Sequence, residues 1–188
     1  MEWTIPGTVL TGPRDDVEQS IRRLEGMFLG GGMIRSQLAS VSGVEAHDIQ
    51  NWVKRGFLSS PVNKRYSCNQ FCRIVTINML RAAMPMDRIC SLLSYVNGRL
   101  DDESDDAIDD AQLYFSFLVV ASRFRGLAED RGSVIACIRE SLADYREPYP
   151  GAAKRVEQVL VVMILAWISS LLQGKAEEML KEMEADTD

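Results

Sequence analysis

The stretch Arg35 to Lys54, RSQLASVSGVEAHDIQNWVK, decides how the chain is read. Large apolar side chains fall at Leu38, Val44, Ile49 and Trp52, a small one at Ala39 and a glycine at Gly43. Two closely crossing helices need those types in those places. Ala39 lets the second helix approach, Gly43 permits the positive φ of a tight turn, and the four large residues fill the shared core. The pattern predicts short helices over about 36–41 and 45–55. The second would turn Glu45, Ala46, His47, Gln50, Asn51 and Lys54 outward. Hydrogen-bonding side chains on such a face are what reading base edges in a DNA major groove requires. The same pattern also serves a helix pair packed for structure alone.

Beyond this window, Gly56-Phe57-Leu58 leaves the second helix, and residues 59–66, with Pro61, Asn63 and Lys64, read as a β-turn or small hairpin. Ser67 is placed to N-cap a helix reaching about Ala83, with Phe71, Ile74, Val75, Asn78 and Leu80 along it. Met84-Pro85-Met86-Asp87 breaks that helix and starts another, which Asn97-Gly98 stops. Towards the N-terminus, Pro6, Gly7, Gly12 and Pro13 mark 1–14 as an irregular arm. Asp15-Asp16 then opens a helix bearing Val17, Ile21, Leu24 and Phe28, and Gly30-Gly31-Gly32 follows as a hinge. Towards the C-terminus, the acidic run Asp101 to Asp110 leads into a helix striped by Leu113, Phe117, Val120, Phe124 and Leu127, a heptad-like spacing. A shorter helix carries Ile135, Ile138 and Leu142. Pro148 and Pro150 break the chain, and a long last helix runs from about Ala152 into the charged tail Lys175 to Glu184. The class is mostly α with one small β element.

The 188 residues are 46% hydrophobic and 26% charged, a globular profile that excludes chain-long disorder and fibrous classes. Four cysteines without a secretory leader point to a reducing cytoplasm. Cys68 and Cys72 share a helix face, with Cys90 further along. With no Cys-x-x-Cys and a single histidine, they read as small buried apolar residues and not as metal ligands. The acidic run lacks the glycine and ligand spacing of a calcium loop and reads as negative charge at a helix start. No catalytic residue, metal or cofactor is expected. The three glycines lack a following Lys-Ser/Thr, and no nucleophile elbow or metalloprotease helix is present. The apolar run Val159 to Leu172 falls short of the roughly 20 residues of a spanning helix, so it reads as a core or interface helix and no membrane partner is expected. The net charge of −6 argues against a general nucleic-acid binder. Residues 33–88, however, hold eight basic groups against three acidic ones, a net +5, while the remainder carries −11. Local potential, acting over about 8 Å, is what attracts phosphates.

The run Val53-Lys54-Arg55-Gly56-Phe57-Leu58, Pro61, Asn63-Lys64-Arg65-Tyr66-Ser67, Phe71 and Ile74, then Met86-Asp87-Arg88-Ile89 and Leu92-Leu93, resembles the MerR family of bacterial regulators from Met33 to about Val96. Ile49 to Tyr66, together with Asn97-Gly98 and the acidic run, looks closer still to an uncharacterised bacterial domain-of-unknown-function family of predicted MerR-like cytoplasmic proteins. The chain departs from the usual MerR pattern at Gln50 and Asn51, where an Arg and a Tyr are usual, and at Lys64, where a Gly is usual; its wing is also shorter. The resemblance implies a winged helix-turn-helix over 33–98 with a small β-hairpin wing. It would be preceded by an arm and helix (1–32) and followed by an all-α dimerisation or effector unit (99–188). It implies that Gln50 and Asn51, with His47 as a lesser contributor, read bases. Lys54, Arg55, Lys64, Arg65 and Tyr66 would bind phosphates, and Arg35 would hold the backbone at the first helix. The expected partners are double-stranded DNA, a second copy of the chain and a small-molecule effector. Two other readings stand beside this one: a protein-interaction module using the helix pair as scaffold, and, more remotely, a small-molecule binder or enzyme in the C-terminal helices.

Overall fold

The computed structural model describes residues 2–98, 100, 105–124 and 131–185. Among them the chain forms eight helices and one two-stranded sheet. The strands are β1 (Glu2–Thr4) and β2 (Thr11–Pro13). The helices are α1 (Val17–Gly26), α2 (Arg35–Ser42), α3 (Ala46–Lys54), α4 (Cys68–Leu80), α5 (Met86–Asn97), α6 (Asp110–Arg123), α7 (Arg131–Ser141) and α8 (Ala152–Ala185). The helix boundaries follow local chemistry. The Asp16 and Ser67 side chains accept from the third backbone N–H of α1 and α4, and Gln70 completes a reciprocal cap by accepting from the Ser67 N–H. Gly43, at φ 70°, ends α2. Leu127 and residues 101–104 of the acidic run lie outside the described residues.

α4 is the centre of the fold. Phe71 through Ile77, Met79 and Leu80 are all buried, and the helix packs against α2, α5, α6 and α8. A helix covered on every side must be apolar nearly all round, as this one is. The buried residues form one cluster running from Ile5 through Leu38, Ile49 and Trp52 to Trp167. It crosses both boundaries, near residues 32 and 98, that the sequence suggested between units. Trp167 of α8 meets Trp3, Phe117 and Phe124 edge-on at centroid distances of 6.4, 5.8 and 6.0 Å.

Residues 1–14 depart from the expected irregular arm. They hold an antiparallel hairpin, with Trp3 opposite Gly12 and Thr4 opposite Thr11. Of the prolines and glycines that suggested irregularity, Pro6 and Gly7 sit in its turn and Gly12 and Pro13 within β2. Ile5 is in the core, and the Tyr114 hydroxyl donates to Pro6 O at 2.6 Å. Arg14 reaches across to cap α6, donating to Ser122 O at 3.1 Å and also to Ala121 O and Phe124 O.

α8 runs from Ala152 into the charged tail, as the sequence suggested, and although the apolar run Val159 to Leu172 is short, the helix as a whole is long and apolar enough, by length and composition, to cross a membrane. Its first half, including Val156, Leu160, Met163 and Ile164, is in the core. From Leu171 to Ala185 every residue is exposed.

Gly7 has φ +77°, and a Cβ there would lie 2.2 Å from Val75 O of α4. Gly7→Ala is therefore expected to cost about 2 kcal/mol or more and to lower the melting temperature by about 4–8 °C in a thermal denaturation. Gly26→Ala, with nothing within 4 Å of the new methyl, should leave it unchanged or raise it.

Candidate nucleic-acid interface

α2 and α3 join through Gly43, Val44 and Glu45, and Leu38, Val44, Ile49 and Trp52 are buried between them and the rest of the core. With Ile49 and Trp52 turned inward, the opposite face of α3 carries His47, Gln50, Asn51 and Lys54. Gln50 and Asn51 lie three and four residues after His47, and Lys54 three after Asn51, so they share one stripe, and all four are exposed. His47 shares this face with an acid: its Nε2 lies 3.1 Å from Asp48 Oδ1, and Asp48 also meets Arg81 at 3.8 Å. Arg55 follows α3 with its guanidinium stacked 4.6 Å from the Phe57 ring centroid.

The expected hairpin is present in miniature. Val62 and Arg65 exchange both backbone hydrogen bonds, at 3.0 and 2.9 Å, around a two-residue turn. Asn63 and Lys64 sit at φ 50° and 62°, a turn whose hand matches the twist of paired strands. Tyr66 pairs with Met33 just before α2, through N–H···O bonds of 2.7 and 3.0 Å, so the hairpin is tied back to the start of the helix pair. Arg65 Nη1 donates to Gly32 O at 2.8 Å. The starts of α2 and α3 and the hairpin enclose a shallow cleft of about 540 Å³ containing Arg35, Ser36, Lys64 and Tyr66. At the start of α2 Gln37 Oε1 accepts from the Ile34 N–H at 3.1 Å, while no side chain caps the N–H groups that follow it, the arrangement that favours an anion.

Eight of the nine expected contact residues are thus exposed, and Tyr66 is the departure. At 4% exposure its ring is in the core, and burial pushes its hydroxyl above the ordinary value while Arg35 opposes that shift. Its pairing with Met33 fixes the hairpin. Arg73, counted in the basic segment, is also absent from the surface. It is 3% exposed, donates from Nε to Phe57 O at 2.9 Å and meets Asp110 of α6 at 3.3 Å. The exposed charge of 33–88 is therefore seven cations against three acids, +4. A basic residue amid Phe71, Ile74 and Val75 was the available signal, since a charge in an apolar helix implies a buried partner. The cysteines divide by environment. Burial raises the Cys72 thiol well above its usual value, whereas a hydrogen bond from Cys72 lowers that of Cys68. All four cysteines are free, and among the described residues no cluster of His, Cys, Asp and Glu is arranged to hold a metal.

Residues 34–117, from the start of α2 into α6, match a family described as a domain of unknown function (DUF1836). The match spans the helix pair, the hairpin, α4, α5 and the first half of α6, and brings no activity with it. No curated protein and no solved structure matches the chain.

Burial raises the Asp110 carboxyl above its ordinary 3.8, the more so with Asp109 beside it, although Arg73 pulls the other way. The folded chain therefore holds this proton more tightly than the unfolded chain. Asp110 contributes stability that is fully present below 3.8 and is lost as pH rises through the folded midpoint. An NMR titration of its carboxyl carbon should give a midpoint above 3.8. At neutral pH Asp110→Asn, an uncharged mimic of the protonated carboxyl that burial favours, is expected to cost little, whereas Asp110→Leu, which leaves Arg73 Nη1 without an acceptor, is expected to cost about 3–5 kcal/mol. By urea denaturation, the wild type's margin over the leucine variant should widen as pH falls through the midpoint.

Proposed function

We propose that the chain is a duplex-DNA-binding transcriptional regulator, working as a homodimer in a bacterial cytoplasm, and that residues 33–98 are a winged helix-turn-helix. The observation that carries the reading is the convergence of His47, Gln50, Asn51 and Lys54 on one exposed face of α3, with Arg35 and Lys64 at the cleft beside its start. In this reading α3 lies in a major groove with Gln50 and Asn51 on base edges and His47 at the margin. Lys54, Arg55 and Arg65 meet phosphates, and one phosphate seats in the cleft at the start of α2 between Arg35 and Lys64.

Lys64 supports this independently. Its φ of 62° is one that glycine adopts freely and lysine does not, at a cost of about 1–2 kcal/mol. A residue held in such a conformation invites a role for its side chain. The dimer reading draws on α8. Leu165, Leu172 and Met179 recur every seven residues and are all exposed, the seam of a two-helix coil. A two-fold protein would match a two-fold operator. The exposed half of α8 also favours the second reading, a protein-interaction module. Salt dependence separates the two, because phosphate contacts weaken steeply as counterions compete.

The test is a mobility shift at low salt on genomic fragments, followed by anisotropy across a salt series on the duplex retained. Asn51→Ala is expected to cost about 1–3 kcal/mol on the specific duplex, and Lys54→Ala to weaken all duplexes and reduce the salt slope by about 1. Lys64→Gly should move two readouts in opposite directions, raising stability by about 1 kcal/mol while lowering duplex affinity. Failure to retain any duplex, or a Lys64→Gly protein that binds as well as wild type, would overturn the reading. Leu172→Glu with Met179→Glu is expected to shift the species seen by sedimentation from dimer to monomer without loss of helix.

A further inference from the structure

All four cysteines are free, and two of them meet. Cys68 is the first residue of α4 and Cys72 lies four residues on, so both fall on one face of the helix. Cys72 is fully buried, while Cys68 is half-buried and lines the cleft between the hairpin and α4, beside Ser59, Ser60, Ser67 and Gln70. The Cys72 thiol donates a hydrogen bond to the Cys68 sulfur. That bond brings the Cys68 thiol below its ordinary 9.0, against burial and against Glu25 of α1 and Asp109 at the start of α6. The free N–H groups of the first turn of α4 act in the same direction. Burial, the bond to Cys68 and the charge on Cys68 keep the proton on Cys72, and Asp110 and Asp109 add to them. Tyr114 of α6 also faces Cys72. The bond and the charge both end once Cys68 is oxidised, which frees the inner thiol to react.

We propose that Cys68 and Cys72 form a peroxide-reactive dithiol, with Cys68 the nucleophile and Cys72 the resolving thiol. The Cys68 thiolate attacks one oxygen of hydrogen peroxide. The O–O bond breaks, hydroxide leaves and takes up a proton as water, and Cys68 becomes a sulfenic acid. The Cys72 sulfur then attacks the Cys68 sulfur. The S–S bond forms, the S–O bond breaks, and the departing hydroxide takes the Cys72 proton as a second water. Two thiols and one peroxide thus give one disulfide and two waters. Cβ atoms four residues apart on a helix stand about 5–6 Å from each other, whereas a disulfide needs about 3.5–4.5 Å. The bond therefore draws Cys68 out of the first turn, where its N–H has no partner within the helix. Ser67 and Gln70 cap that turn, and Gln70 also holds Ser59 and Ser60 ahead of the hairpin. Oxidation loosens the hairpin from α4 by this route. Where the hairpin meets DNA, as proposed above, duplex affinity then falls on oxidation; that consequence rests on the duplex reading, and the thiol chemistry does not.

The test uses the full chain without nucleic acid. Trypsin cuts after Arg65 and Arg73, so both cysteines fall in one peptide, residues 66–73, with no other cysteine. When the folded chain is treated with hydrogen peroxide, blocked with iodoacetamide and digested, that peptide should show the loss of two hydrogens, and dithiothreitol should restore them. On the reduced chain, limiting iodoacetamide should label Cys68 at least about tenfold faster than Cys90, whose thiol is raised by burial. The pH midpoint of Cys68 labelling should lie below 9.0, and Cys72→Ala should move it up. Under peroxide, Cys72→Ala should stop at the sulfenic acid and take dimedone on Cys68, which the wild type should not accumulate. Where that variant fails to fold, the wild-type peptide decides the matter alone. The proposal is overturned if the peptide keeps its hydrogens under peroxide, if the oxidised product is a cross-linked dimer, or if Cys68 labels no faster than Cys90. A negative result in the duplex assay leaves these readouts unaffected, because no DNA is present in them.

Discussion

The buried guanidinium of Arg73 is the constraint on which the arrangement depends. A charge at 3% exposure in the middle of an apolar helix is tolerable only when paired and hydrogen-bonded on more than one side. Arg73 meets that condition with Phe57 O, in the segment leaving α3, and with the Asp110 carboxylate at the start of α6. One side chain thus joins the exit of the helix pair to the body of the protein through α4. Neighbouring polar groups on α4 do similar work. Asn69 Oδ1 accepts from the Ala111 N–H, Gln70 holds Ser59 and Ser60, and Asn78 donates to Gly7 O and Ser42 O at 3.0 Å each. The apolar residues of α4 fill the core, and its few polar ones collect loop carbonyls and an amide that would otherwise be buried unmet.

This division explains what the sequence could and could not reveal. Gly43, the Ser67-to-Gln70 cap, the Asn63-Lys64 turn and the stop at Gly98 are local signals, and each stands where its chemistry placed it. The inward set of the helix pair was legible because Leu38, Val44, Ile49 and Trp52 follow the helical period. The N-terminal hairpin was not, because its anchors lie far away in sequence. Tyr114 reaches Pro6, and Arg14 reaches Ser122. Nor does a stretch with Pro6, Gly7, Gly12 and Pro13 show the alternation of a strand. Tyr66 was misplaced for a related reason. A tyrosine at the end of a basic run reads as part of that run until its pairing with Met33 turns its ring into the core. In α8, hydropathy showed that residues 159–172 are apolar but not which of them meet the core. That depends on α4, α5, α6 and α7 packed against its first half.

The charge distribution shows the same separation between sequence count and physical effect. Of the eight cations in 33–88, Arg73 is spent internally, and Arg81 lies 3.8 Å from Asp48, on the margin of α3. The cations that remain for an external partner, chiefly Arg35, Lys54, Arg55, Lys64 and Arg65, border α3 and the hairpin. At physiological salt the acidic remainder of the chain is screened beyond about 8 Å, so a phosphate at this surface responds mainly to the nearby cations. The total of −6 is therefore compatible with a locally cationic face. It would, however, keep the protein off polyanions wherever that face is not engaged. Local attraction on an overall acidic chain favours a partner that fits the face over one that merely carries negative charge, since an ill-fitting polyanion meets the repulsion without the full set of contacts.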